Sequence, residues 1–210
     1  MLKLTFTVCL CVVFSTVSHG DVESDMIEFA KGGFVRYSAK GHPKAKGASF
    51  TLKYPKSWVA KEGDRPNILQ KFQSDGGRGF EMLTILTRSF PAPPGTKPTN
   101  AELKKLFSPD EMKGFVPSTA TFLDAKSTEL DGQPAGMVEW SQHMETAGAT
   151  VDMHSLAFEF FDGTTRVMLN FSVLSVPPKS PEGLVQRMAE FKPLFTLMAN
   201  SLVVEGRWKQ

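Results

Sequence analysis

The second half of the chain contains four long strand-like segments with short turn signals between them, and this pattern constrains the fold more than any other feature. The segments are residues 119–130, 135–146, 150–161 and 164–174. Asp131-Gly132, Ala147-Gly148 and Asp162-Gly163 lie between them. Pairs of this type are typical of tight β-hairpin turns, and consecutive hairpins form an antiparallel meander.

One amphipathic helix is predicted after the meander. A start signal at Ser180-Pro181-Glu182 precedes apolar residues spaced four, three, four, three and four apart, which places them on one helix face. These residues are Leu184, Met188, Phe191, Phe195, Met198 and Leu202. Pro193 lacks a backbone N–H, which predicts a kink or a break near Phe191. An antiparallel sheet must bury at least one face, so the sequence predicts a single α+β domain in which this helix covers the sheet.

The first half of the chain adds further strands and two short helices. Residues 49–54 alternate apolar and polar side chains, and 58–62, 68–74 and 80–88 are further strand candidates. Thr99 with Glu102, and Ser108 with Glu111, have the spacing of a capping box. Each pair therefore predicts the start of a helix.

The first twenty residues have the order of a secretory signal peptide. Lys3 supplies the positive charge, an apolar run follows, and small residues lead to a cleavage position at Gly20. The run is shorter than the roughly 20 apolar residues of a membrane-spanning helix. Both cysteines would leave with this segment, so a periplasmic or secreted chain without disulfides or a transmembrane segment is expected.

Basic residues are concentrated near the start of the predicted mature chain. Residues 31–61 contain eight lysines and arginines and no acidic residue. Residues 21–48 are also rich in glycine and are predicted to form a loosely ordered basic arm ahead of a domain at 49–205. One interpretation is that this segment docks on an anionic partner; the other is that its lysines only keep it solvated and protect an edge strand from aggregation. The candidate partner contacts are Lys40, Lys44, Lys46, Lys53 and Lys56.

A candidate metal site lies across the predicted turn at residues 147–148. With a two-residue loop, His143 opposes Asp152, and the side chains of His143, Glu145, Asp152 and His154 share one face. A three-residue loop would move the last two to the other face. Imidazole and carboxylate ligands suit zinc or copper(II), while the adjacent methionines favour copper(I). The alternative is an ordinary strand pair whose polar side chains face solvent.

Signals for other functions are weak. A Ser–His–Asp triad can be drawn from Ser141 or Ser155 with His154 and Asp152, but Gly-x-Ser-x-Gly is absent from the sequence. The sequence has no phosphate-binding glycine loop and no His-Glu-x-x-His. A net charge of +2 is too small for a dedicated nucleic-acid-binding protein. No enzymatic activity, no cofactor other than a possible metal, and no nucleic-acid partner are expected.

Three short segments resemble the PsbP-like superfamily. Phe50-Thr-Leu52-Lys-Tyr54-Pro55-Lys-Ser-Trp58 is similar to its F-x-(I/L)-x-Y-P-x-x-W opening, and Leu130-Asp-Gly132-Gln-Pro-Ala135 resembles its I-x-G-x-x-A hairpin. Phe191-x-x-x-Phe195 with Asn200-Ser201-Leu202 resembles its last helix and strand. The superfamily includes the photosystem II extrinsic subunit, a Ran-binding nuclear-import factor and many exported bacterial proteins. The resemblance implies an antiparallel sheet between helical layers, an α/β/α sandwich, used mainly for binding and without shared catalytic residues.

The residues and the resemblance together predict an exported, non-enzymatic binding or assembly module. It would present its sheet and its basic arm to a protein or to an anionic envelope surface. The alternative is a periplasmic metal- or small-ligand-binding protein that uses the hairpin between His143 and His154.

Overall fold

Two antiparallel sheets form the centre of the fold. A computed structural model describes residues 22–90, 97–146, 149–175 and 181–207. The strands in these ranges are β1 (Phe34–Ser38), β2 (Phe50–Pro55), β3 (Val59–Glu62), β4 (Ile68–Gln73), β5 (Glu81–Ser89), β6 (Ala120–Leu130), β7 (Gln133–Thr146), β8 (Ala149–Asp162), β9 (Thr165–Ser175) and β10 (Val203–Val204). Seven of them form a large sheet in the order β3-β4-β5-β9-β8-β7-β6. The other three form a small sheet in the order β1-β2-β10.

The helices are short except for the last one. They are α1 (Val22–Ala30), α2 (Ser74–Gly77), α3 (Asn100–Leu106), α4 (Pro109–Met112) and α5 (Pro181–Asn200). The capping box predicted at Thr99 is confirmed, because Thr99 Oγ1 accepts from the Glu102 backbone N–H and the Glu102 carboxylate accepts from the Thr99 backbone N–H. The second predicted helix start is also confirmed, because α4 begins directly after Ser108, but the Ser108 side chain makes no capping hydrogen bond, so the capping box itself does not form.

The predicted meander is confirmed. Strands β6, β7, β8 and β9 pair in chain order, and every pair is antiparallel. Gly132 and Gly163 lie in two of the connecting turns with positive φ angles of 68° and 60°. Glycine is favoured there because it has no Cβ to clash in the left-handed region.

Helices cover both faces of the large sheet. Phe158 and Phe160 of β8 point into a core that they share with α5 and the small sheet. The alternate residues Ala157 and Phe161 point to the other face, where they pack against a second apolar cluster that contains Met112 of α4. The chain is therefore a single α+β domain, with the sheet between two helical layers.

Helix α5 runs without interruption through Pro193, so the predicted break near Phe191 is wrong. All six residues of the apolar stripe are buried. The ring of Phe195 stacks on Phe171 of β9 with centroids 4.9 Å apart. Burying one large apolar side chain contributes about 1.5–3 kcal/mol. Several such side chains on both sides of Pro193 outweigh the roughly 3 kcal/mol cost of a proline inside a helix.

Residues 22–48 do not form the loosely ordered arm that their composition predicted. The side chain of Asp25 in α1 is buried and accepts a hydrogen bond of 2.8 Å from Trp58 Nε1. Strand β1 pairs with β2 along its whole length. Ala39 and Ala45 are buried in the main core. The folded domain therefore begins before the predicted boundary at residue 49. The small residues of this segment pack closely against the domain and do not make the chain loosely ordered.

Two expectations about membranes and export have different outcomes. None of the helices in the described ranges is both long enough and apolar enough to cross a membrane. The expected signal peptide at residues 1–20 lies outside the described residues and stays a prediction.

Candidate functional site

The β7–β8 hairpin has the register that the metal hypothesis requires. His143 lies directly opposite Asp152, and Ser141 lies opposite His154. Side chains two residues apart on a strand share a face, so Glu145 lies on the same face as His143. This is the face on which the large sheet packs against α5.

The four predicted ligands do not converge on one point. His143 Nδ1 lies 2.7 Å from Asp152 Oδ1. His154 Nε2 instead lies 2.8 Å from Glu139 Oε1, and Glu139 was not among the predicted ligands. Within the part of the chain that the structure describes, no three His, Cys, Asp or Glu side chains form a group that could hold a metal ion. The geometry therefore gives metal binding no support, and it stays a prediction.

The Ser–His–Asp combination is not assembled either. Asp152 contacts His143 rather than His154, and His154 Nε2 is occupied by Glu139. An acid–base arrangement needs the acid to orient the same histidine that activates the nucleophile. The three residues taken from the sequence therefore do not act as one unit.

A charged network that is buried at His154 and partly exposed at Lys192 connects this hairpin to α5. Lys192 Nζ in the helix donates a 2.6 Å hydrogen bond to Glu139 Oε2, while Glu139 Oε1 contacts His154. The side chains of Glu139 and His154 are 12% and 5% exposed. The hydrogen bond from His154, together with the hydrogen bond and charge of Lys192, lowers the pKa of Glu139 to about 2, although burial alone would raise it.

Sequence reasoning missed this network, although a signal for it was present. Glu139 lies on β7 two residues after Met137 and four after Ala135, and both are buried in the core under α5. A carboxylate that directly follows buried apolar residues on one face of a strand predicts an ion pair, because an unpaired buried charge is very costly. Its partner Lys192 lies on a different element and could not be identified from spacing.

A cleft of about 300 Å³ opens between the first turns of α5 and strands β6 to β8. Leu123 and Val185 form apolar walls and are 45% and 59% exposed. Ser141, His143 and His154 supply polar groups on the sheet side. An apolar pocket with a few convergent polar groups is typical of small-ligand sites.

Three of the five predicted partner-binding lysines make contacts inside the fold. Lys40 forms a 3.8 Å ion pair with Glu205, and Lys44 forms a 2.8 Å ion pair with Glu62. Lys46 Nζ donates to a backbone carbonyl of β5 at 3.1 Å. These lysines are therefore partly committed to holding residues 40–46 against the rest of the domain.

The remaining two lysines lie in β2 and directly after it, and β2 pairs with the strand that carries Arg36. Arg36 on β1 lies directly opposite Lys53 on β2, and Lys53 Nζ lies 4.1 Å from the centre of the Phe34 ring. Arg36 and Lys56 are exposed. Across the described ranges, the ion pairs found involve other cations, so Arg36, Lys53 and Lys56 have no carboxylate at ion-pair distance. We call these three residues the basic surface.

The comparisons with known proteins concern the fold. No protein-family model matches the chain, and no curated protein is similar to it in sequence. Among solved structures, cyanobacterial PsbP (CyanoP) from Synechocystis sp. PCC 6803 is 18% identical, with 82% of this chain and 92% of that chain covered and a TM-score of 0.50. LpqN, involved in cell envelope biogenesis of Mycobacterium tuberculosis, is 11% identical, with coverages of 83% and 92% and a TM-score of 0.45. The Saccharomyces cerevisiae Ran-binding protein Mog1p is 10% identical, with coverages of 81% and 95% and a TM-score of 0.45.

The likeness to cyanobacterial PsbP extends over most of both chains. At this level of identity the likeness concerns the fold alone. The chain has the PsbP-like fold.

Proposed function

We propose that this protein is an exported, non-enzymatic binding module that docks on a negatively charged partner through the basic surface. The observation that carries the proposal is the pairing of Arg36 with Lys53 across neighbouring strands, without a carboxylate at ion-pair distance in the described residues. Export rests on the signal-like order of residues 1–20.

The energetics of the pair support an external anion. Like charges directly opposite each other on an antiparallel sheet are destabilising. A negatively charged surface that binds at this face would attract both cations and so offset their mutual repulsion. Near an anionic membrane each such cation contributes about 1 kcal/mol. The partner is an anionic envelope surface or an acidic protein face.

The residues that make the contact differ from the set predicted from the sequence. Lys53 and Lys56 remain from that set, and Arg36 joins them. Lys40, Lys44 and Lys46 contribute positive potential, but they already have partners within the fold. A rigid sheet surface also needs less ordering on binding than a loose arm would, and this favours affinity.

The test reverses the charge of two side chains in the basic surface and leaves the backbone of the fold in place. Deletion of residues 21–48 is unsuitable because α1 and β1 belong to the fold. The double variant Arg36→Glu with Lys56→Glu keeps the backbone, and the carboxylate introduced on β1 would face Lys53 as an attractive pair. The control, Lys104→Glu with Lys105→Glu, makes the same change in net charge on exposed positions of α3.

Binding is measured by co-sedimentation with vesicles that contain phosphatidylglycerol or only phosphatidylcholine, and by capture on an envelope extract. We expect binding to the anionic vesicles or the extract to fall by about 30-fold or more in the Arg36/Lys56 variant, since two lost cations correspond to about 2 kcal/mol. The control should bind like the original protein. Binding to the extract alone would assign an acidic protein, whereas equal loss in both variants would refute a localised surface.

The second candidate function is small-ligand binding at the cleft between α5 and the β7–β8 hairpin; metal binding there rests on the sequence prediction alone. The observation that favours it is the cleft itself, because its volume of about 300 Å³ and its mixed lining suit a compact ligand. Calorimetric titration with zinc and copper, repeated on His143→Ala, tests the metal version. Binding heat that is seen with the original protein and lost in His143→Ala would support metal binding. The absence of heat with either metal would refute it.

A further inference from the structure

The outer edge of β1 is an unpaired strand edge beside the basic surface. The small sheet has the order β1-β2-β10, so within the described part of the chain β1 has a neighbouring strand on one side only. The N–H and C=O groups along such an edge can pair with a further strand, and this is a common way for proteins to bind extended peptides. The side chains around the edge determine which peptide fits.

The hydrogen bonds at the two ends of β1 show which backbone groups point away from β2. The Lys56 backbone N–H donates to the Gly33 carbonyl at 3.1 Å, and the Ala39 N–H donates to the Phe50 carbonyl at 2.9 Å. Opposed residues of an antiparallel pair alternate between hydrogen-bonded and non-hydrogen-bonded positions, so every second residue of β1 bonds to β2. The residues between them point their backbone groups outward, where the described ranges supply no partner. These outward residues are Phe34, Arg36 and Ser38.

The outer face of this edge is positively charged. Side chains alternate along a strand, so Arg36 lies on the face opposite to Tyr37, whose ring packs against the buried Phe72 with centroids 5.4 Å apart. Lys53 of β2 is directly opposite Arg36 and shares its face. In a strand added outside β1, the residue opposite Arg36 would also lie on this face, with the two Cβ atoms about 4.5–5.5 Å apart. An acidic residue fits that position.

The other face of the edge favours an apolar neighbour. Val35 lies on the core side of β1 together with Tyr37, but its side chain is still 38% exposed. An apolar side chain of an added strand would cover it. Arg36 also opposes pairing between two copies of this edge, because each copy would bring the same positive charge. The edge therefore suits an extended segment in which acidic and apolar residues alternate.

We propose that β1 binds an extended acidic segment of a partner protein as an added antiparallel strand. The backbone of the segment pairs with the outward groups of β1, its acidic side chains face Arg36 and Lys53, and its apolar side chains lie beside Val35. This inference rests on the proposed function, because it uses the same basic surface and assigns an acidic protein segment, and not a membrane, as the partner.

The probe is an acetylated and amidated pentapeptide, Glu-Val-Glu-Val-Glu, added to the ¹⁵N-labelled full chain and followed by amide hydrogen exchange. We expect the amides of Phe34, Arg36 and Ser38 to exchange quickly in the free protein and to become protected when the peptide binds. The amides of Val35 and Tyr37 should be protected in both states, because they already bond to β2. A peptide with lysine in place of each glutamate should not bind.

Two N-methylated peptides separate strand addition from simple charge attraction. In the proposed pairing, the N–H groups of the glutamates point to β1 and those of the valines point away. Methylation of the central glutamate nitrogen should weaken binding by about fivefold or more, because it removes a backbone hydrogen bond. Methylation of a valine nitrogen should leave the affinity close to that of the parent peptide. The two methylated peptides carry the same charge.

Ser38→Pro tests the same donor from the side of the protein, with Ser38→Ala as its matched control. Proline is tolerated on an edge strand where the N–H faces away from the sheet, so this change removes an outward donor and no bond to β2. Both variants lose the Ser38 Oγ, which accepts a 3.3 Å hydrogen bond from the Lys40 backbone N–H. We expect Ser38→Pro to bind the peptide about fivefold more weakly or worse, and Ser38→Ala to bind it like the original protein.

The possible results separate this inference from the proposed function. Equal affinity for the two methylated peptides, without protection of the outward amides, would overturn strand addition and leave the basic surface as a charged docking site. An absence of peptide binding would also overturn it, and the vesicle and extract assays would still decide the proposed function. Protection of the outward amides before peptide is added would mean that the edge is already covered, by a second copy if the protection increases with protein concentration. Peptide binding that is unchanged in the variant Arg36→Glu with Lys56→Glu would refute the basic surface and with it both proposals.

Discussion

Glu139→Gln is the substitution that tests the charged network of Glu139, His154 and Lys192 between α5 and the sheet. Glu139 holds His154 on one carboxylate oxygen and Lys192 on the other, and it is 12% exposed. Its pKa falls from 4.5 to about 2 on folding, mainly through the hydrogen bond from His154 and then through Lys192. Each pKa unit corresponds to about 1.4 kcal/mol, so a shift of this size corresponds to at most about 3.5 kcal/mol in the free energy of unfolding at pH 7.

The direction of the pH dependence follows from the lowered pKa. A carboxylate whose folded pKa lies below its unfolded value stabilises the protein fully above the unfolded pKa. That stability is lost as the pH falls from about 4.5 towards 2. Glutamine cannot ionise, so the variant lacks this part of the pH dependence.

The assay is urea unfolding of the original protein and the variant at several pH values between 7 and 2. We expect Glu139→Gln to lower the free energy of unfolding by about 2–3 kcal/mol at pH 7 and by much less at pH 2. Glu62→Gln is the control, because Glu62 also pairs with a lysine but its side chain is 62% exposed. Its loss should be far smaller, since exposed ion pairs are screened by solvent.

The reasoning would be refuted by either of two results. One is an equal loss for Glu139→Gln and Glu62→Gln at pH 7. The other is a difference between the original protein and Glu139→Gln that stays constant from pH 7 to pH 2, because such a difference would come from packing and not from ionisation.

Two further predictions concern the folded N-terminal segment and a close backbone approach. Asp25→Ala should destabilise the protein by about 1–3 kcal/mol in urea unfolding, because it leaves the Trp58 indole N–H without its acceptor. Asp25→Asn keeps an acceptor and should cost less. Burial raises the pKa of Asp25 against the opposing hydrogen bond from Trp58. Its ionisation therefore lowers stability as the pH rises above the unfolded value, and the Asn variant should lose that dependence; an unchanged pH profile would contradict this. Gly63→Ala should cost about 1–3 kcal/mol, because a Cβ there would overlap the carbonyl oxygen of Ile68. Gly114→Ala, where a Cβ meets nothing within 4 Å, should be close to neutral, and similar losses for the two glycines would count against a steric cause.

The large sheet could be predicted from the sequence because it depends on local periodicity, whereas the hairpin register stayed open between a two-residue and a three-residue loop. Alternation of side chains fixes which face of each strand is buried, and a two-residue separator places His143 opposite Asp152. The stripe from Leu184 to Leu202 likewise identified the face of α5 that packs on the sheet. These features depend only on residues that are close together in the sequence.

The candidate sites could not be predicted from the sequence in the same way, because their geometry depends on residues that are far apart in the chain. Spacing put His154 on the correct face, but only packing against α5 brought Glu139 and Lys192 together beside it. Composition predicted a loose segment at 21–48, whereas the contact between Asp25 and Trp58 folds α1 onto the domain.

The sequence by itself determined the strands of the meander, their order and the buried stripe of α5, because the period of the side chains carries that information along each segment. Only the tertiary structure decided which charges are paired and which remain exposed, such as Arg36 and Lys56. The physical reason is that the spacing of apolar residues specifies which face of a helix or strand is buried. The partner that a buried or exposed charge meets is set by the docking of elements that are distant in the chain.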